Sequence, residues 1–183
     1  MIRTIEEFED TMFPLIVSML GWEEDTDKVR IGWQQDSTPE FGIDENYIFV
    51  SALPVEDDIS KHNDVSTEET SPGLNLIKSF TRVMEMNLVA YGPEATKNLT
   101  TIRFGYYRDI ILHQLAKEEI FLVTDIPSVK RLPELFQGRW WERADLRIRF
   151  NELVTVTEAI NNIESVEVEV WNEDGLQKTI EIN

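Results

Sequence analysis

Along the first twenty residues Ile5, Phe8, Met12, Leu15, Ile16 and Met19 recur at helical spacing, with Thr4 and Glu7 placed as a capping box ahead of them and Gly21 behind. The spacing predicts a helix here, bent at Pro14. Residues 29–33 and 47–53 read as two strands, separated by a polar loop that holds Pro39 and Gly42. Residues 80–91 alternate and are rich in Val, Met and Leu, which predicts a long strand ending at Gly92-Pro93. Pro93 suits a first helical position and Glu94 the positive end of a helix dipole, so a second helix is expected from there to about Lys117. One stripe on it is Leu99, Ile102, Tyr106 and Ile110, and a second beside it is Tyr107, Ile111 and Leu115. Together they make a broad face suited to a sheet. A short apolar strand at 120–124 and a connecting loop with two prolines at 127–138 follow.

Residues 140–150 carry the most regular pattern in the chain. The even positions are Trp140, Glu142, Ala144, Leu146, Ile148 and Phe150, and the odd ones are Trp141, Arg143, Asp145, Arg147 and Arg149. Period-two alternation predicts a strand with one core face and one basic face. The pair Trp140-Trp141 has to put one indole on the basic face, as a candidate interface anchor. After a polar break, a short helix is expected around 156–161. Val166, Val168 and Val170 then alternate with Glu167 and Glu169, and a turn at Asn172-Glu173-Asp174-Gly175 leads into a returning strand at 176–182. The order helix, strands, helix, strands implies an α+β fold: a largely antiparallel sheet flanked by two main helices.

With 183 residues, 42% of them hydrophobic, the chain is expected to form a single domain over 1–183. Residues 54–72 hold six acids and one lysine, too little apolar area to order themselves, and are expected to be a mobile loop; residues 163–183 are expected to form an acidic hairpin. The formal net charge of −18 argues against direct DNA readout and against anionic lipid. That charge is unevenly spread: residues 1–96 carry 20 acids and six bases, 97–149 seven and ten, and 150–183 eight and one. A basic stretch between acidic flanks suits a subunit that attracts copies of itself head to tail.

Candidate chemistry changes this picture little. There is no cysteine, which removes disulfides, thiolate nucleophiles and Cys-type metal sites. His62 and His113 are isolated, the glycines form no phosphate loop, and Glu56-Asp57-Asp58 lacks the order of a calcium loop. No cofactor, metal or catalytic step is expected. No apolar run approaches the ~20 residues of a membrane helix, and the first residues lack a signal-peptide core, so a soluble protein made in a cytoplasm is expected.

The order of elements resembles the tail terminator (neck terminator) family of long-tailed bacteriophages. The resemblance rests on the N-terminal helix and early strand pair, the long strand ending in Tyr91-Gly92, and the Ala-, Ile- and Leu-filled helix at 95–115. It continues through the linker Val129-Lys130-Arg131-Leu132-Pro133-Glu134-Leu135 and, most specifically, Trp141-Glu142-Arg143-Ala144-Asp145-Leu146-Arg147-Ile148-Arg149-Phe150. It spans roughly residues 4–155. The acidic stretches at 56–71 and 164–182 depart from the pattern and read as insertions.

The resemblance implies a virion structural protein at the neck, assembled in the host cytoplasm. Its subunits would close into a ring, usually of six copies, on the last ring of the tail tube, end tube polymerisation and offer a platform to the neck, head-completion or connector protein. The sheath protein is a further candidate partner, and genome DNA would pass through an acidic lumen without sequence-specific binding. The candidate subunit or tube interface is Trp141, Arg143, Arg147 and Arg149, whose acidic partners would be Glu167, Glu169 and Glu181 or a neighbouring copy. A second reading, an acidic DNA mimic that blocks a nucleic-acid enzyme, fits the net charge but not the placement of so much acid in a loop.

Overall fold

In the computed structural model, which describes residues 3–32, 41–70, 73–160, 166–172 and 175–182, the capping box closes the start of α1 (Ile5–Leu20). The Glu7 amide donates to Thr4 Oγ1 at 3.1 Å, and the Thr4 amide donates to Glu7 Oε2 at 2.7 Å. Gly21, at φ 68°, ends the helix. Phe8, Met12, Leu15, Ile16 and Met19 are all buried, as their spacing predicts. Strands β1 (Val29–Ile31) and β2 (Tyr47–Val55) run parallel, with Val29 opposite Ile48. Trp33 and Pro39 lie outside the described residues.

The rest of the chain adds β3 (Asn63–Thr70), β4 (Gly73–Tyr91), α2 (Ala95–Gly105), α3 (Asp109–Lys117), β5 (Ile120–Leu122), β6 (Lys130–Arg131), β7 (Glu134–Phe136), β8 (Arg139–Trp141), β9 (Arg143–Ile160), β10 (Val166–Asn172) and β11 (Gly175–Ile182). A seven-stranded sheet has the order β1-β2-β4-β9-β5, with β3 paired to β4 and β6 to β9. The β2–β4, β5–β9 and β6–β9 pairs are antiparallel, and the fold is α+β.

The described residues fall into two compact units. In the first, Met1–Asn63 with Ser79–Thr155, the helices cover one face of the sheet. The core joins α1, α2 and α3 to Ile48, Val50 and Ala52 of β2, Met84, Met86, Leu88 and Ala90 of β4, and Ala144, Leu146, Ile148 and Phe150 of β9. The second unit comprises Asp64–Lys78 and Val156–Asn183. Within it every residue of β3 from Asp64 on is exposed, Lys78 meets Glu158 at 4.0 Å, and β10 pairs antiparallel with β11. Residues 161–165 and 173–174, which include part of the expected hairpin turn, lie outside the described residues.

Three expectations are corrected. The expected single helix from Pro93 to Lys117 is two helices, broken at Tyr106-Tyr107-Arg108, where the amides of Tyr107 and Arg108 bond back three residues to Phe104 and Gly105. At Gly105, α2 passes so close to α1 that a Cβ would collide with the Met19 side chain. Residues 54–72 are not all loop: β2 continues to Val55, β3 occupies Asn63–Thr70, and β4 starts at Gly73 rather than at residue 80. Ladder hydrogen bonds to β4 hold polar β3 in an extended conformation that its composition does not announce. The short helix expected around 156–161 is instead the end of β9, where Val154, Thr155, Val156 and Thr157 favour extended backbone.

Glu9 is the polar exception on the buried face of α1. Its carboxylate, 4% exposed, accepts the Ala52 amide at 2.7 Å, and burial pushes its pKa up despite that bond. A raised native pKa means that the folded chain holds this proton more tightly than the unfolded one. Stability from this site therefore falls as pH rises from the ordinary carboxylate range through the raised value. Glu9→Gln keeps an acceptor for Ala52 and removes the titration. The difference in melting temperature, variant minus parent, is expected to grow across that window; a difference that is flat with pH would contradict it.

Candidate functional site

The sheet face turned away from the helices belongs to the first unit. Along β9 the alternation puts Ala144, Leu146, Ile148 and Phe150 in the core, and Arg143, Asp145, Arg147 and Arg149 on the opposite side. Arg143 is held from three directions. Its guanidinium meets both Asp145 oxygens at 2.8 and 3.0 Å and Glu134 Oε2 at 3.0 Å, and lies 5.9 Å from the centre of the Tyr91 ring. Hydrogen bonding to Asp145 raises its pKa further, so its charge is permanent. The Tyr91 hydroxyl donates to Glu134 at 3.1 Å, and burial pushes its pKa up.

Arg147 and Arg149 are held differently, because they share one carboxylate. Glu85, 8% exposed on β4, accepts Arg149 Nε at 2.9 Å and has Arg147 Nη1 at 3.8 Å. The side chains of Arg147 and Arg149 are 71% and 49% exposed. Two guanidiniums on one carboxylate leave a positive surplus at this end of the face. It is flanked by exposed Phe121 and Leu153.

Trp141 sits at the other end among rings, with centroids 5.7 Å from Phe41, 6.5 Å from Tyr91 and 6.3 Å from Phe136. Its Nε1 is buried without a hydrogen-bond partner among the described residues. Trp140, expected on the core face, is 67% exposed, because the alternation does not run through Glu142. β8 ends at Trp141 and belongs to a hairpin with β7, in which Leu135 faces Trp140. Gln137 and Gly138, both at positive φ, make the two-residue turn of that hairpin. Glu142 is held outside by Arg131, at 2.9 Å, and that contact lowers its pKa.

The structure thus brings Arg143, Arg147 and Arg149 onto one face and places Trp141 at its edge. Among the described residues the carboxylates that meet the arginines are Glu85, Glu134 and Asp145; the side chains of Glu167, Glu169 and Glu181, the expected partners, lie outside them. Glu85 had a sequence signal: it is the one charge within the apolar run Val83-Met84-Glu85-Met86. His62 is exposed, and His113 uses Nδ1 on the Asp109 carbonyl at 2.8 Å.

Compared with known protein families, the chain matches the phage neck terminator proteins over residues 5–174. It belongs to that family. No curated protein matches the terminator at a significant level. The match runs across the acidic stretch at 56–71 and ends at residue 174, before β11. Membership makes the terminator a structural protein of the phage neck, and the face just described is read in that light. No helix among the described residues is long and apolar enough to cross a membrane.

Proposed function

We propose that the terminator acts by assembly alone: copies of one domain close into a ring, a hexamer, on the end of the tail tube, stop its growth and give the neck or head connector a surface to dock on. The observation that carries this is the open face of β9. In a chain of net charge −18, Arg147 and Arg149 stand exposed with one buried carboxylate between them, beside uncovered Phe121 and Leu153. A surface that is both cationic and apolar suits a protein partner, either a neighbouring subunit or the tube. Individual exposed pairs contribute only ~0–1 kcal/mol, so such a row sets orientation and association rate more than affinity. Acidic surface elsewhere suits a passage through which DNA slides without adhering. Polymerising tail tube protein with and without the terminator tests the proposal: shorter tubes with a ring on one end support it, and tubes of unchanged length with bare ends contradict it.

A further inference from the structure

Three exposed apolar side chains of the first unit, Leu135, Phe136 and Trp140, lie on the β7–β8 hairpin. Trp140 is 67% and Leu135 59% exposed, and they form a directly opposed cross-strand pair, while Phe136 lies on the other face of the hairpin against the Trp141 ring. The two-residue turn at Gln137-Gly138 sets the register that puts Leu135 opposite Trp140. Arg139, in the same hairpin, is exposed and has no carboxylate partner among the described residues. An uncovered Trp–Leu pair at a tight turn is the composition of an interface anchor.

The same unit carries a matching depression. Between α3 and β5 lies a cavity of about 410 Å³, lined mainly by Leu112, Leu115, Ala116, Ile120, Phe121 and Leu122. That is large enough for an indole and a leucine together. Asp109, also in the lining, is exposed and makes no ion pair among the described residues, and exposed Glu119 stands in the turn between α3 and β5. The depression is therefore apolar with Asp109 and His113 in its lining, and the tip is apolar with Arg139 beside its turn. Within one subunit they cannot meet. Phe121 pairs with Asn151, and the eight steps along β9 from Arg143 to Asn151 place ~26 Å of strand between the two places.

We propose that the β7–β8 tip of one terminator seats Trp140 and Leu135 in the α3–β5 cavity of a second copy, with Arg139 facing Asp109. The proposal rests on the reading that the terminator acts as a ring, and it names the contact between copies. A patch and its complement at separate places on one subunit make a head-to-tail contact, which closes into a ring when the rotation permits. The arginine face of β9 is left to the tube.

The chain has no cysteine, so an engineered pair reports this contact without background. Leu135→Cys and Ala116→Cys both alter exposed positions. The double variant, oxidised mildly in the presence of tail tubes, is expected to give a ladder of covalent oligomers that ends at a closed ring. Each single variant alone stays monomeric, and a mixture of the two stops at dimers. Trp140→Asp in the double variant is expected to cut the cross-linking yield at least ~30-fold. Rings on tube ends without cross-links, or single variants that cross-link as readily as the pair, would overturn the contact and leave the ring standing. Absence of rings on tubes, together with absence of cross-links, would overturn both.

Discussion

Arg149→Glu is expected to destabilise the terminator by ~2–3 kcal/mol, a fall of roughly 5–10 °C in melting temperature for a chain of this size, whereas Arg147→Glu leaves stability within ~0.5 kcal/mol. The two residues lie two apart on one strand face and share one partner, yet their environments differ. Arg149 Nε bonds Glu85 at 2.9 Å, and Glu85 is 8% exposed. Reversal there places a second carboxylate against a buried one and removes its main counter-charge. The half-exposure of Arg149 keeps the cost below that of a fully buried pair. Arg147 stands 3.8 Å from the same carboxylate with its side chain 71% exposed, so little of its charge is committed to the fold. Chemical denaturation of both variants decides the matter. Equal losses would show that the face serves the fold throughout and would weaken its reading as a docking surface.

Gly92→Ala is expected to cost about 3 kcal/mol or more. Gly92 has φ +103°, a conformation L-residues rarely adopt, and a Cβ there would overlap the Glu45 carbonyl oxygen and the Asn46 side chain and Cα. The obstruction is largely backbone, which cannot swing aside as a methionine tail can. The same turn holds the Gly92 amide on the Glu142 carbonyl at 3.1 Å, and Asn46 Oδ1 accepts the Glu94 amide at 2.9 Å. Strain there would reach the strand ends that carry Tyr91, Trp141 and Arg143. The variant is expected to unfold at lower denaturant with an unchanged m-value; an unchanged midpoint would contradict the account of the turn.

What the sequence made legible was whatever periodicity or capping dictates locally. Thr4, Glu7 and Gly21 bound α1, and the alternation from Ala144 to Phe150 separates core from arginine face, because burial on one side of a pleat leaves a two-residue trace. Four features were hidden for identifiable reasons. The stripes of α2 and α3 adjoin in sequence, and no proline marks the break at Tyr106-Tyr107-Arg108, so they read as one helix. β3 has no apolar alternation, since it is held by ladder hydrogen bonds and buries nothing. The reversal at Trp140 arises from Glu142 leaving the ladder to meet Arg131, a contact between residues eleven apart. The partnership of Glu85 with Arg147 and Arg149 joins two strands about sixty residues apart in the chain, so composition could show that carboxylates were available but not which one would be used. Neck terminator membership, expected from the order of elements and the pattern Trp141–Phe150, agrees with the family match over residues 5–174.

The central claim is that the terminator ends tube growth by ring closure. Its most direct measurement is the length distribution of tail tubes grown from purified tube protein, read by electron microscopy, with and without the terminator. The account predicts that added terminator shortens the tubes, places a ring on one end of each, and loses both effects with Arg147→Glu while that variant stays folded. Tubes of unchanged length with bare ends, at terminator concentrations well above that of the tube ends, would contradict it.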